Sequence, residues 1–225
     1  MLRTEWQIAN VREARRSRRS DRRQDDNPVC PDYSCQHNGP VFDFGIRGYR
    51  PQWLCGLAPV TAAHADRLAA LIGRTLTHTW VLWEHHSDTW LADAPVLLDF
   101  DGRQVEINHQ NLDALSVTWG TVDPAAPVCW PVEGFDLRWR QDAPDELAGL
   151  CGQRLESVEL LEWNGPDLAH GMVAVSFEFA SQRLTIYNAL DENGLAFGSP
   201  DPRDTRHPLH PARPTDCATR LWLQR

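Results

Sequence analysis

One feature constrains this chain more than any other: the stretch from about Arg67 to Gly120 reads a second time from about Glu146 to Gly198, 79 positions later. Setting residues 67–76 over residues 146–155 matches Leu68 with Leu147, Ala69 with Ala148, Leu71 with Leu150, Gly73 with Gly152 and Leu76 with Leu155. The offset then holds without a gap to residue 108, pairing Leu82 with Leu161, Asp88 with Asp167, Val96 with Val175, Phe100 with Phe179 and Ile107 with Ile186. After a one-residue gap, Leu112 meets Leu190, Asp113 meets Asp191 and Gly120 meets Gly198.

The hydrophobic periods agree with this alignment. Apolar residues alternate at Val96, Leu98 and Phe100 and again at Val105 and Ile107, with Asp99, Asp101 and Glu106 between them. The second stretch repeats the pattern at Val173, Val175, Phe177 and Phe179, then at Leu184 and Ile186, interrupted by Ser176, Glu178 and Thr185. A period of two predicts strands with one buried and one wet face. Asp101-Gly102 suits a tight hairpin turn, and Asn193-Gly194 is a second turn signal.

Each unit is therefore expected to be a short helix, a glycine stop, a strand, a loop, a hairpin and a final short strand. The helices fall near 61–72 and 144–151, capped by Gly73 and Gly152. Strands follow near 75–84, 95–101, 103–109 and 115–120, and near 154–163, 172–180, 182–188 and 194–198. A lone meander of this size buries little core, so two copies must share one. The expected fold is α+β, mainly β: an internal duplication of a short helix plus antiparallel β-meander, its two pseudo-equivalent halves packed on a shared core. Copy one spans about 61–120 and copy two about 144–198 of a domain covering 59–198. The Pro-rich connection 121–143 is expected to pack Trp130 and Trp139 across the join. Residues 1–58 read as an Arg-rich, partly disordered leader, and 199–225 as a Pro-rich tail too irregular for secondary structure.

Gly73-Arg74-Thr75-Leu76, answered by Gly152-Gln153-Arg154-Leu155, and the later run from Leu98 through Phe100-Asp101-Gly102 to Val105 and Ile107 resemble the pattern of small bacterial β-meander domains, some encoded near toxin systems. The resemblance covers the repeated part and assigns no functional residue.

Charge is uneven along the chain. Ten arginines and seven acids lie in residues 1–58, against twelve arginines and twenty-four acids from residue 59 onward, and there is no lysine. A body near −12 repels phosphate backbones, so nucleic acid is an unfavoured partner and a basic protein a favoured one. No run of 18 apolar residues occurs, and the N-terminus lacks a basic-then-apolar secretory pattern, so no membrane partner is expected and the cytoplasm is the expected compartment. There, six cysteines are expected as thiols, with Cys151, opposite Ile72, in the core. No cofactor is expected. Cys30, Cys35, His37 and Cys55 offer zinc-type ligands, but the second close-spaced pair of a structural zinc site is missing.

Glu84-His85-His86-Ser87-Asp88 brings two imidazoles and two carboxylates within five residues. Adjacent histidines on a strand face opposite ways, however, so they could share a ligand only in a loop. Asp99 and Glu178 sit on the expected wet faces of equivalent strands, as carboxylates that could do acid–base work or simply be solvated. Asp191 and Glu192 lie in a turn that has the composition of a calcium loop without its spacing. His85, His86, Asp88, Asp99, Glu178, Asp191 and Glu192 are thus the candidate binding residues. No G-x-S-x-G, P-loop, G-x-G-x-x-G or H-E-x-x-H occurs. The expected function is a non-enzymatic acidic binding module, an immunity-type protein masking a basic partner. The alternative is a metal-dependent enzyme or small-molecule binder with its site between the two halves. Ten tryptophans suit either core packing or an aromatic ligand platform.

Overall fold

The computed structural model describes residues 44–111, 113–130, 134–141 and 143–211. The fold is mainly β, with two antiparallel sheets. The first runs through β1 (Leu54–Cys55), β2 (Leu76–Glu84), β3 (Thr89–Trp90), β4 (Val96–Phe100), β5 (Arg103–Gln110), β6 (Ala114–Thr118) and β7 (Leu137–Arg140). The second holds β8 (Leu155–Trp163), β9 (Val173–Phe179), β10 (Arg183–Asn188), β11 (Asn193–Phe197) and β12 (Asp204–Leu209). Two helices accompany them, α1 (Leu57–Ala69) and α2 (Asp145–Ala148).

Strand order is the same in both sheets: β6-β5-β4-β2-β7 in one and β11-β10-β9-β8-β12 in the other. Register agrees as well. Leu98 faces Val105 and Phe177 faces Leu184, both members moved by 79. Leu76 opposes Phe100 and Leu155 opposes Phe179, and each ladder shifts by one residue just after, at His78 with Asp99 and at Ser157 with Glu178. A bulge kept at the same place in two ladders sharpens twist at the same point of each sheet.

The sheets meet where their chains exchange backbone bonds. Gly73 N–H donates to Leu155 O (2.8 Å) and Gly152 N–H to Leu76 O (2.8 Å), while Leu76 N–H reaches Gln153 O (2.9 Å) and Leu155 N–H reaches Arg74 O (2.8 Å). Thr75 and Arg154, 79 apart, pair with each other at the centre of this exchange. The two glycines have φ near +85°, a conformation that costs a side-chain-bearing residue about 1–2 kcal/mol. They do not cap helices directly, because α1 and α2 end four residues earlier, with an extra turn between. The helices cross over too: α1 packs against β8 and β12, and α2 against β2.

Between the sheets lies one core of Leu, Val, Ile and Phe contributed by both, together with Val60, Leu68 and Ala69 of α1 and Leu147 of α2. Phe100 stacks on Phe177 (centroids 5.7 Å) and on Phe179 (6.5 Å). The eight expected strands form within two residues of their expected limits.

Several expectations change. Residues 44–58 belong to the fold rather than to a leader: Phe44, Ile46 and Tyr49 are buried, and with Trp53, Trp130 and Trp139 they cover Trp80, Leu82 and Leu97 on the outer face of the first sheet. That cover means the outer face is not wet, and Glu106 on it is fully buried. The proline-rich stretch after Ser199 does form a strand, β12, because Pro208 sits on an edge where no N–H is needed. β1, β3 and β7 were not anticipated. Asn193-Gly194 begins β11, and the turn is the preceding 189–192, with positive φ at Leu190 and Asp191. Cys151 is exposed, not in the core, and Cys55 is disulfide-bonded rather than a thiol. Its partner lies outside the described residues, since Cys129 and Cys151 are free. The Arg-rich run before Asp43, the Cys30, Cys35 and His37 ligands, Leu112 and the tail from Ala212 are also outside them.

The shared core predicts a coupled cost. Phe177→Ala should lower unfolding free energy in urea by about 3–5 kcal/mol, and adding Phe100→Ala should cost less than the sum of the single losses by roughly 1 kcal/mol of stacking.

Candidate functional site

The seven residues singled out from sequence are spread over separate places, most of them occupied with local structure. His85 and His86 are exposed in the turn joining β2 to β3. That turn is organised by Glu84, whose buried carboxylate accepts the backbone N–H groups of His86 (3.1 Å), Ser87 (2.5 Å) and Asp136 (3.3 Å) and the Ser87 hydroxyl (2.5 Å). Burial pushes this carboxyl up, but the donors outweigh it and hold the pKa near 2. Glu84 is therefore a permanent anion spent on fixing the loop, not a proton carrier at neutral pH.

Asp88 accepts Trp83 Nε1–H at 2.9 Å, and the Arg140 guanidinium lies over the same indole, 4.5 Å from its centroid. Trp163, Asp167 and Arg203 make the same arrangement in the second sheet, at 2.9 Å and 4.3 Å. The shared aspartate thus marks a repeated Trp–Asp–Arg clamp that ties β2 to β7 and β8 to the approach of β12. Asp99 accepts Thr77 Oγ1–H (2.7 Å) and Gly102 N–H (2.7 Å), bracing the β4–β5 turn. Glu178, its counterpart 79 residues on, accepts from Ser157 Oγ (3.0 Å) and from Arg183. Asp191 is exposed with its backbone N–H on Asn188 Oδ1, and Glu192 is buried at the end of the β10–β11 turn.

The outer face of the second sheet carries an ion network instead of an aromatic cover. Glu159 is 5% exposed and accepts from Arg183 Nη1 (2.8 Å) and from Arg206 Nε and Nη2 (2.8 and 2.7 Å). Burial raises the Glu159 pKa, yet the two guanidinium groups overcome it and hold the carboxyl below its usual range. Glu106 has the matching role in the first sheet, where its carboxylate accepts Thr121 N–H (2.7 Å) and pins the connecting segment.

A buried polar cluster between the sheets was not foreseen from sequence. Asn193 and Asn108 are fully buried and His109 nearly so. Asn193 Oδ1 accepts the backbone N–H of His109 (2.9 Å), and its amide donates to Ala94 O (2.8 Å) and Asn108 Oδ1 (2.8 Å). The His109 ring places Nδ1 3.0 Å from Asn193 Oδ1 and Nε2 3.2 Å from Val173 O, so both nitrogens face acceptors. A neutral imidazole has one N–H and satisfies one of them. Burial nevertheless pulls the pKa from 6.5 down to about 4, against these two contacts. The cluster stitches β5 of one sheet to β9 and β11 of the other. Asn-Gly signals a turn from sequence alone, and partners 84 residues away leave no local trace.

Among the described residues no group of three or more His, Cys, Asp or Glu side chains is placed to hold a metal, and no helix is long and apolar enough to cross a membrane. The chain matches no protein-family model, and neither a curated protein nor a solved structure shows detectable similarity to it.

His109 sets a pH dependence. The unfolded ring takes up a proton near pH 6.5 and the folded ring only near 4, so the unfolded state holds more protons between these values and stability falls as pH falls. The loss should reach roughly 3 kcal/mol by pH 4. His109→Gln should remove about that much of the difference between urea unfolding at pH 7 and at pH 4.

Proposed function

We propose that this chain is a non-enzymatic acidic binding module, an immunity-type protein that masks a basic protein partner. The observation that carries the reading is how its carboxylates are divided. Glu84, Glu106 and Glu159 are buried and spent on internal donors. Asp145, Glu146, Glu156 and Asp191 stand exposed with no arginine paired to them among the described residues. Unpaired surface charge of one sign steers an oppositely charged partner and excludes like-charged ones.

We also infer that the fold is an internal duplication, extended by one strand per copy beyond what sequence alone suggests. Equal strand order, ladders offset by 79 residues, the reciprocal bonds around Thr75 and Arg154 and the two Trp–Asp–Arg clamps support this. A ligand site between the halves has less in its favour, since Phe100, Phe177 and Phe179 fill the space where the sheets face each other.

The charge reading is tested by binding of the full chain to a panel of cationic proteins at about 50 and about 300 mM salt, across which the Debye length falls by more than half. Association should slow by about ten-fold or more at the higher salt. Combined Asp145→Asn, Glu146→Gln and Glu156→Gln should slow it several-fold at low salt while leaving the melting temperature within a few degrees. Absent or salt-insensitive binding would count against the proposal.

A further inference from the structure

A groove of about 410 Å³ opens where α1 passes the β4–β5 hairpin and the end of β6, with Asp66, Arg67, Ala70, Arg103, Trp119 and Gly120 among its walls. That volume lies within the range of small-molecule sites, about 300–1,000 Å³. The Arg67 guanidinium sits over the Trp119 indole, 4.3 Å from the ring centroid. Stacking of this kind holds the planar fork in one orientation and leaves its in-plane N–H donors unspent.

Arg67 and Arg103 have no carboxylate partner among the described residues. Arg138, Arg140, Arg183, Arg203 and Arg206 are each bonded to one; among the same residues Arg47, Arg50, Arg74 and Arg154 are not, but Arg67 and Arg103 are the pair that lines this groove. On a chain with 31 acids and 22 arginines, these two exposed guanidinium groups line one concavity, where like charges repel unless an anion lies between them. Asp66 on the same wall brings the local sum of charges near +1, which suits a singly charged anion better than a doubly charged one.

We propose that this groove binds a small organic molecule through one carboxylate group, clamped between Arg67 and Arg103. The site is separate from the acidic surfaces invoked above and stands or falls independently of them. A planar fork matches a carboxylate with two parallel hydrogen bonds, and the Ala70 methyl and arginine stems give the rest of such a molecule an apolar bed.

The test uses the full chain labelled with ¹⁵N-arginine, titrated with benzoate, inorganic phosphate and chloride at one fixed ionic strength. Benzoate should shift the Arg67 and Arg103 Nε–H signals saturably, and Arg67→Gln or Arg103→Gln should weaken that binding about ten-fold or more. If Arg67→Gln does not fold, Arg103→Gln decides the matter, since Arg103 is exposed and makes no described side-chain bond. Equal, non-saturating shifts with all three anions, or benzoate affinity within about two-fold of the parent in the Arg103 variant, would overturn the site. Tighter binding of phosphate than of benzoate would overturn the carboxylate assignment.

Discussion

Everything in this structure depends on two sheets that each have an oily inner face and must hide it against the other. Burial of apolar area drives the pairing, but it does not fix how far one sheet slides along its partner. That is set by the four backbone bonds exchanged between Gly73–Leu76 and Gly152–Leu155. Their geometry admits one register, and Thr75 opposite Arg154 marks its centre. Because both glycines need positive φ, the turn leading each helix into its first strand cannot relax without breaking a bond to the other sheet. Local chain direction and global packing are therefore specified by the same residues.

The outer faces then differ, and the difference accounts for the aromatic cover that Trp53, Trp130 and Trp139 help form. Trp80, Leu82 and Leu97 on the first sheet correspond, 79 positions on, to Glu159, Leu161 and Ser176 on the second. The apolar set requires a cover, which Phe44, Ile46, Tyr49, Val122, Val128 and three of the ten tryptophans, Trp53, Trp130 and Trp139, supply. On the other sheet, the polar set satisfies itself through Arg183, Glu159 and Arg206. A buried carboxylate between two guanidinium groups is costly to break and adds little net stability over apolar packing. Its effect is to keep that face from recruiting an aromatic cover of its own.

How much of this was legible in sequence follows from which signals are local. Alternation at Val96, Leu98 and Phe100 and at Val173 through Phe179 is a period-two signal within one strand, and it located the central strands. Gly73 and Gly152 declared the shared turn for the same reason. β7 and β12 carry no such pattern: Leu137–Arg140 reads as charge with one tryptophan, and Asp204–Leu209 contains a proline. They are strands because β2 and β8 offer open edges, which is tertiary information. The candidate residues suffered likewise. His85 and His86 drew notice by chemical type but lie in a turn held by Glu84, whereas His109 and Asn193 gained importance only when strands 84 residues apart met.

The buried polar junction and the two indole clamps bear on how function could reside here. Every polar group they use is committed to holding one strand against another, so changing any of them alters stability before it alters binding. Freedom to interact remains with groups the fold does not consume: the exposed acids near α2 and Asp191, and the stacked but unpaired Arg67 with Arg103. These two sets have opposite charge and lie on different elements. A basic partner and a carboxylate ligand, as proposed, would therefore be recognised by groups of opposite sign on different elements of the fold.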